Sequence, residues 1–254
     1  MRSLVGKIGD WLPQGYGDAA RQLGLFVVAE LCYETVRGIA DGERTQAFIN
    51  GANVIDIERA TGTFFEPGLQ SALVDMRWLV DASNFVYMNS HFVVTTAFMV
   101  WLYLFRNPSF YFVRNMFIVA MALALVGYAL VPTAPPRLYP EHGFVDTITD
   151  YAQVNHDSGL VKLFINPYAA IPSMHVAFSL MIGVCGAMIA RRAITRVLWC
   201  IYPLLVFFVV VVTANHFWLD AAAGAVVAVL AALAARLVLA RVRPAVWSFR
   251  PATS

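Results

Sequence analysis

Long apolar stretches separated by short polar turns dominate the hydropathy pattern of this 254-residue chain. They predict six candidate membrane spans, at about 22–40, 84–105, 110–131, 173–190, 197–215 and 217–240. Four of the stretches are long enough, at about 1.5 Å per residue, to cross about 30 Å of hydrocarbon, whereas 22–40 and 173–190 are short. Glu30, Glu34 and Arg37 interrupt the first stretch, so whether it crosses the membrane completely stays open.

The polar segment 41–82, between the first two stretches, contains two helical patterns. Apolar residues recur on one face at Phe48, Ala52 and Ile55, and on another at Leu69, Leu73, Met76 and Val80. Pro67 stands where it could open the second helix, because proline is tolerated in a first helical turn. We expect these helices to lie at the membrane surface and to cover the bundle.

The composition of the chain indicates a membrane protein. Apolar residues make up 59% of the chain, charged residues 13%, and the mean hydropathy is +0.65. A soluble domain usually carries about twice that share of charge. We therefore expect an all-α polytopic membrane protein, a six-transmembrane-helix bundle that forms one integral membrane domain over 1–254. No basic tract with interleaved aromatic residues is present, which argues against nucleic acid as a partner.

The distribution of basic residues predicts the orientation of the bundle. Two thirds of the 18 basic residues lie near the N-terminus, in the turns after spans two and four, and after span six. The positive-inside rule makes this side cytoplasmic, with both termini inside a multi-pass protein of the cell membrane. The opposite, extracytoplasmic side then holds 41–82 and the long loop 132–172.

Two histidine motifs stand at the heads of spans four and six, on the same predicted face. They are Pro172-Ser173-Met174-His175 and His216-Phe217-Trp218-Leu219-Asp220. Ionisable residues are expensive at membrane depth, which suggests a working site. In a helix His216 and Asp220 are neighbours, and the carboxylate can orient the imidazole. The motifs suit phosphoryl transfer, although a helix-cap histidine and a structural ion pair would explain them separately.

Four further residues are candidates for substrate binding. Arg137 follows a stiff proline-rich stretch in the 132–172 loop, and its planar guanidinium matches phosphate oxygens, although it could also bind lipid headgroups nonspecifically. His91, near the end of span two, could bond a headgroup or form an interhelical bond. Tyr168 could line the same pocket or act as an interface aromatic. Asn215 lies in the short turn immediately before His216.

Taken together, these motifs resemble a known family. Pro-Ser-Met-His at 172–175 and His-x-x-x-Asp at 216–220 resemble the second and third signatures of the type 2 phosphatidic acid phosphatase superfamily. Pro-Pro-Arg at 135–137 and Tyr-Ala-Ala-Ile-Pro-Ser-Met-His at 168–175 are similar to its aureobasidin-resistance branch, which includes inositol phosphorylceramide synthases. The resemblance covers roughly residues 25–240 and includes Phe-Phe-Glu-Pro at 64–67.

The resemblance implies a six-span helical core and metal-independent phosphoryl transfer through a phosphohistidine. His216 would be the nucleophile, Asp220 its orienting partner, and His175 the general acid toward the leaving alcohol. Arg137 would help to neutralise the phosphate. No metal and no cofactor is expected, and the three cysteines of the chain show no metal-ligand spacing.

The chain departs from the superfamily pattern in three places. The first signature, a lysine followed seven residues later by Arg-Pro, is absent from the sequence. Val210 stands where the pattern has an arginine, and Met174 replaces the usual glycine of the second signature. The synthase branch tolerates these changes, which favours that branch over the lipid phosphatases.

The sequence therefore predicts a membrane lipid phosphotransferase that moves a phosphoryl-linked headgroup, such as inositol phosphate, between lipids. Its partners would be a phospholipid or polyprenyl phosphate, a lipid alcohol acceptor and the bilayer. The catalytic core would span about 84–240, with 132–172 as an extracytoplasmic active-site loop. One alternative is a lipid or polyprenyl phosphate phosphatase of the same superfamily. Another is a proton-coupled transporter subunit, in which the same ionisable residues relay protons.

Overall fold

The computed structural model describes residues 12–39, 44–152 and 168–250. Within these ranges the fold is all-helical and contains no strand, which confirms the all-α part of the predicted fold class, while the position of the helices in 41–82 at the membrane surface stays a prediction. One isolated β-bridge joins Thr133 to Ala169. Residues 153–167 of the predicted active-site loop lie outside the described part of the chain.

The α-helices are labelled here in chain order. They are α1 (Gly15–Ile39), α2 (Arg44–Ala60), α3 (Glu66–Leu73), α4 (Arg77–Phe105), α5 (Asn107–Leu130), α6 (Thr147–Ala152), α7 (Met174–Ile189), α8 (Ala193–Val212), α9 (Trp218–Ala234) and α10 (Pro244–Trp247). A π-helical turn, Ala235–Leu239, and a short helical piece, Ala240–Val242, continue α9. Two 3₁₀ turns, Pro136–Leu138 and Pro140–His142, lie between α5 and α6.

Four of the described helices are long and apolar enough to cross a membrane, namely α4, α5, α8 and α9 with its continuation to Val242. They coincide with the four long stretches that the sequence predicted, and they suggest a membrane protein. The first predicted stretch lies in α1, which has 25 residues but is not among these four. The fourth is the 16-residue helix α7. The count of six spans therefore stays a prediction.

The helices between the first two predicted spans differ in part from expectation. Pro67 lies in the first turn of α3, as predicted. In α2, Ile55 is buried and Phe48 packs against the same cluster, which agrees with the first predicted face. The second predicted face is only partly right, since Val80 is buried and Leu69 packs against an apolar cluster. Met76 is 40% exposed between α3 and α4, and the buried residues of α3 are the polar Glu66 and Gln70.

The core of the bundle is the contact of α7 with α5 and α9, while α8 covers another side of α7. Small residues allow these close approaches. Gly183 and Gly186 face Trp199 of α8, and a methyl group at either position would meet it at under 3 Å. Gly224 of α9 lies directly against the carbonyl oxygen of Ser173, immediately before α7. The N-terminal ends of α7 and α9 are therefore held at backbone contact distance.

The segment after α5 is tied down by buried amides from the neighbouring helices. Asn84 of α4 exchanges two hydrogen bonds with Thr147, each 3.0 Å long. Gln70 of α3 donates to the carbonyls of Val145 and Val212, at 3.0 and 3.1 Å, and accepts from the Val145 N–H at 2.9 Å. Buried amides with all these partners specify one position for the segment. They connect α3, α4 and the end of α8 through one loop.

We predict that Gly224→Ala destabilises the protein and lowers its activity. The added methyl group collides with the backbone of Ser173, and overpacking of this kind costs about 1–3 kcal/mol of the free energy of unfolding. Gly24→Ala is the matched control, because a methyl group on that exposed helical glycine meets nothing within 4 Å. It should gain about 0.5–1 kcal/mol from helix propensity. Thermal unfolding of both variants in detergent measures these changes in stability, which we expect to be opposite in sign.

Candidate active site

The two histidine motifs meet at one end of the bundle. The ring centroids of His175, in the first turn of α7, and His216, just before α9, are 5.8 Å apart. The Ser173 N–H donates to the Asp220 carbonyl oxygen at 3.0 Å, which joins the two motifs through their backbones. The sequence predicted a shared site from the two motifs, and the structure brings them together.

Asp220 holds the imidazole of His216. Its Oδ2 lies 3.3 Å from His216 Nδ1 and accepts the Phe217 N–H at 3.0 Å. Asp220 is fully buried and His216 is 5% exposed, so the pair is shielded from water. Because the carboxylate faces Nδ1, Nε2 is the ring nitrogen left for chemistry. This arrangement suits an imidazole that acts as a nucleophile.

A tight turn between α8 and α9 aims His216. Ala214 has a backbone φ of 52°, in the left-handed region that residues other than glycine rarely occupy. The N–H groups of Asn215 and His216 both donate to the Val210 carbonyl oxygen, at 3.0 and 3.1 Å. Asn215 also donates to the Thr213 hydroxyl at 2.8 Å. The turn is therefore fixed at each residue that leads to His216.

Arg137 lies against this turn. Its backbone N–H donates to the Ala214 carbonyl oxygen at 2.8 Å, and its Nη1 donates to Asn215 Oδ1 at 2.6 Å. The buried Nε has no hydrogen-bond partner among the described residues, and it lies 3.8 Å from Asp146 Oδ2. A buried guanidinium with a donor to spare is suited to an anionic ligand. Arg137 and Asn215 therefore stand beside His216, and their role in substrate binding stays a prediction.

Aromatic rings from α4 surround His175. The Tyr87 ring stacks on its imidazole with centroids 4.4 Å apart and an interplanar angle of 20°. His91 lies 4.6 Å from His175, ring to ring, and stacks on Phe178 at 4.9 Å. His91 is therefore close to the site, and whether it binds a substrate headgroup stays a prediction. Tyr87 was missed, although it stands one helical turn before His91 in the sequence.

Tyr168 lies in a different environment from the histidines. Its ring packs 6.2 Å from that of Phe48 in α2, and its carbonyl oxygen accepts the Thr133 N–H at 2.8 Å. It belongs to the cluster around Phe217, on the α2 side of the site. A role for Tyr168 in substrate binding stays a prediction.

Sequence reasoning also missed two fully buried acids, Glu58 of α2 and Glu66 of α3. Glu66 Oε1 accepts the Trp218 N–H at 2.9 Å, and Glu58 Oε1 accepts the Leu219 N–H at 3.3 Å. The available signal was Glu66 within Phe-Phe-Glu-Pro at 64–67, which is part of the family resemblance. Among the described residues, no group of three or more histidine, cysteine or acidic side chains is arranged to hold a metal ion.

Comparison with known proteins bears on this geometry. A family model described as the PAP2 superfamily matches residues 52–234. No curated protein and no solved structure matches the chain. The resemblance to the inositol phosphorylceramide synthase-like branch stays a prediction. Because the family match covers more than two thirds of the sequence, the chain belongs to the PAP2 superfamily, which supports a lipid enzyme of the phosphatase or phosphotransferase type.

Proposed function

We propose that the protein is a membrane lipid phosphotransferase that moves a phosphoryl-linked headgroup between lipids through a phosphohistidine. The observation that carries the proposal is the meeting of His175 and His216 at 5.8 Å, with Asp220 buried against His216. One imidazole can attack phosphorus while the other supplies a proton to the leaving group.

In the first half-reaction, His216 Nε2 attacks the phosphorus of the donor lipid. A P–N bond forms, the P–O bond to the leaving alcohol breaks, and His175 gives its proton to the departing oxygen. Asp220, on Nδ1, stabilises the positive charge that develops on the His216 ring. The guanidinium of Arg137 stabilises the negative charge on the phosphate oxygens, and this interaction is strongest in the transition state.

The second half-reaction decides between transfer and hydrolysis. An acceptor alcohol loses its proton to His175 and attacks phosphorus, which breaks the P–N bond and frees His216. Water in the acceptor's place would make the protein a phosphatase. The burial of His216, Asn215 and Asp220 supports exclusion of water and therefore transfer.

The substrates follow from the same residues. A phospholipid such as phosphatidylinositol, or a polyprenyl phosphate, carries a phosphate for Arg137 and an apolar tail that stays in the bilayer. The acceptor is a lipid alcohol such as diacylglycerol or ceramide. The arginine distribution supports an active site on the extracytoplasmic face with both termini in the cytoplasm.

A proton-coupled transporter subunit is less well supported. A proton path needs ionisable groups spaced along the membrane normal. Here His175, His216 and Asp220 are gathered at one end of the bundle, within contact of one another. Proton flux that depends on His216, without any phosphate chemistry, would favour the transporter.

The acceptor requirement is the first test. Purified protein in detergent and chelator is offered phosphatidylinositol, with and without ceramide or diacylglycerol, and mass spectrometry follows the lipids. We expect a new inositol phospholipid that forms only with an acceptor and disappears in His216→Ala. Release of inositol phosphate that needs no acceptor would instead show hydrolysis.

Leaving-group chemistry separates the roles of the two histidines. His175→Ala should lower kcat by about 10²–10⁴-fold with a lipid donor, because the alkoxide leaves without its proton. A donor with an acidic phenol as leaving group needs no such proton, so the initial burst of phenol released in the first half-reaction of His175→Ala should recover, although the acceptor step still lacks its base. His216→Ala should stay inactive with both donors. If His175→Ala slowed the release of the leaving group in the first half-reaction equally with both donors, its role as the general acid would be contradicted.

Arg137 gives a third prediction. Arg137→Gln should lower kcat/KM by about 10²–10³-fold, because one charged donor to the phosphate is lost. Arg137→Lys should recover only part of this, since a point charge cannot bond Asn215 and a phosphate in the same fork geometry. Arg192→Gln, at an exposed arginine, is the control and should match the wild type.

A further inference from the structure

The first turn of α9 is held by three buried carboxyl groups from three helices. The N–H groups of Phe217, Trp218 and Leu219 donate in order to Asp220, Glu66 and Glu58, at 3.0, 2.9 and 3.3 Å. All three acids are fully buried. In addition, Trp218 Nε1 donates to the hydroxyl of Thr63, between α2 and α3, at 3.1 Å. The α2–α3 pair is therefore fastened to the turn that carries His216.

Glu58 and Glu66 each have one oxygen left over. Their Oε1 atoms accept the backbone N–H groups, whereas neither Oε2 has a hydrogen-bond partner among the described residues. Two neighbouring carboxylates in a water-free site cannot both ionise without a large cost. Burial and the neighbouring charge of Glu66 raise the pKa of Glu58 to about 9. A single proton on the pair is therefore favoured at neutral pH.

We propose that Glu58 and Glu66 share one proton between their Oε2 atoms, and that this acid pair is a positioning device for His216 and Asp220. Glu58 Oε2–H donates to Glu66 Oε2, which satisfies both left-over oxygens and leaves the pair with a single negative charge. That charge faces the N-terminus of α9, where the helix dipole stabilises it. The effect on catalysis rests on the proposed function, whereas the shared proton does not.

The acid pair acts through the backbone. Its partners are the N–H groups of residues 218 and 219, which lie between His216 and Asp220 in the sequence. Two ionised carboxylates would repel each other, and their movement would displace both N–H groups. The contact between His216 and Asp220 would then change, and a displacement of about 1 Å at a reacting group can cost about a hundredfold in rate.

The titratable groups that face Glu58 decide its pH dependence. They are Glu66 on α3 and Asp220 on α9, and Asp220 in turn interacts with Tyr139 in the loop after α5. Burial raises the pKa of Tyr139 well above its usual value, so the phenol stays neutral over the relevant range. His216 is bonded to Asp220. Compared with Glu58→Gln, in which this proton is replaced by an amide, wild-type turnover should therefore fall as pH rises through about 9, where the shared proton is lost.

The same proton predicts the pH dependence of stability. The ordinary pKa of Glu58 is 4.5, so between 4.5 and about 9 the folded protein holds one proton more than the unfolded chain. The free energy of unfolding contributed by this proton falls with pH through that window and levels off above it. Thermal unfolding measures it without any substrate.

Glutamine variants test the proton directly. Glu58→Gln keeps an acceptor for Leu219 and presents an amide N–H to Glu66 in place of the shared proton. It should therefore keep the turnover that Glu58→Ala loses. Its melting temperature should also lack the fall between pH 4.5 and about 9 that the shared proton causes in the wild type. Glu66→Gln should likewise retain most of the activity, because its amide N–H then donates to Glu58.

The double variant Glu58→Gln/Glu66→Gln is the decisive one. Two amide N–H groups then face each other with no acceptor between them, and kcat should fall by about a hundredfold with little change in KM. Asp56→Asn, an exposed acid on the same helix, is the control and should behave as the wild type.

Three results would overturn the shared proton. The double variant could lose no more than the product of the two single losses. Each single glutamine variant could lose as much as Glu58→Ala, which would mean that two charges are needed. The pH dependence of melting could be the same in Glu58→Gln and wild type. If the wild type turns over no donor, the proposed function fails, and the melting data still decide the acid pair.

Discussion

The site depends first on a backbone contact between α7 and α9. The N–H of Ser173 donates to the carbonyl of Asp220, and this approach is possible because Gly224, one turn further along α9, has no side chain. The same serine caps α7 by accepting the Val176 N–H. One hydrogen bond thus connects the residue that starts the helix of His175 with the residue that orients His216. Side chains alone could not hold two rings at a fixed separation so well, because each has its own rotational freedom.

Around this contact, polar groups of the protein itself make the hydrogen bonds that buried backbone groups need. Gln70 and Asn84 donate hydrogen bonds to the loop after α5, while the backbone N–H of Arg137 donates to the buried carbonyl of Ala214. In a low-dielectric environment each such bond is strong, and each missing partner is costly. The helices that cover the site consequently turn polar side chains inward. Their role is to satisfy a polar site, which differs from the apolar packing of α5, α7 and α9.

The inward-facing polar side chains of these helices explain what the sequence could and could not predict. The four long apolar helices and the pairing of His175 with His216 follow from local signals. The length, hydropathy and start of a helix depend on residues that are neighbours in the sequence. The inward face of α3 does not, because periodicity assumes that apolar residues point inward. Glu66 and Gln70 are buried instead, and Met76 is exposed, since their partners come from distant parts of the chain.

The left-handed backbone of Ala214 has a consequence for how the enzyme would meet its substrate. A residue other than glycine in this region stores about 1–3 kcal/mol of strain, and it persists because the hydrogen bonds around it determine the turn completely. These hydrogen bonds hold the turn in one conformation. The imidazole of His216 is therefore preorganised before any lipid arrives, and no binding energy is consumed in ordering it. Differences in rate between lipids should then reflect how each phosphate fits a rigid site, instead of how well each lipid closes a mobile one.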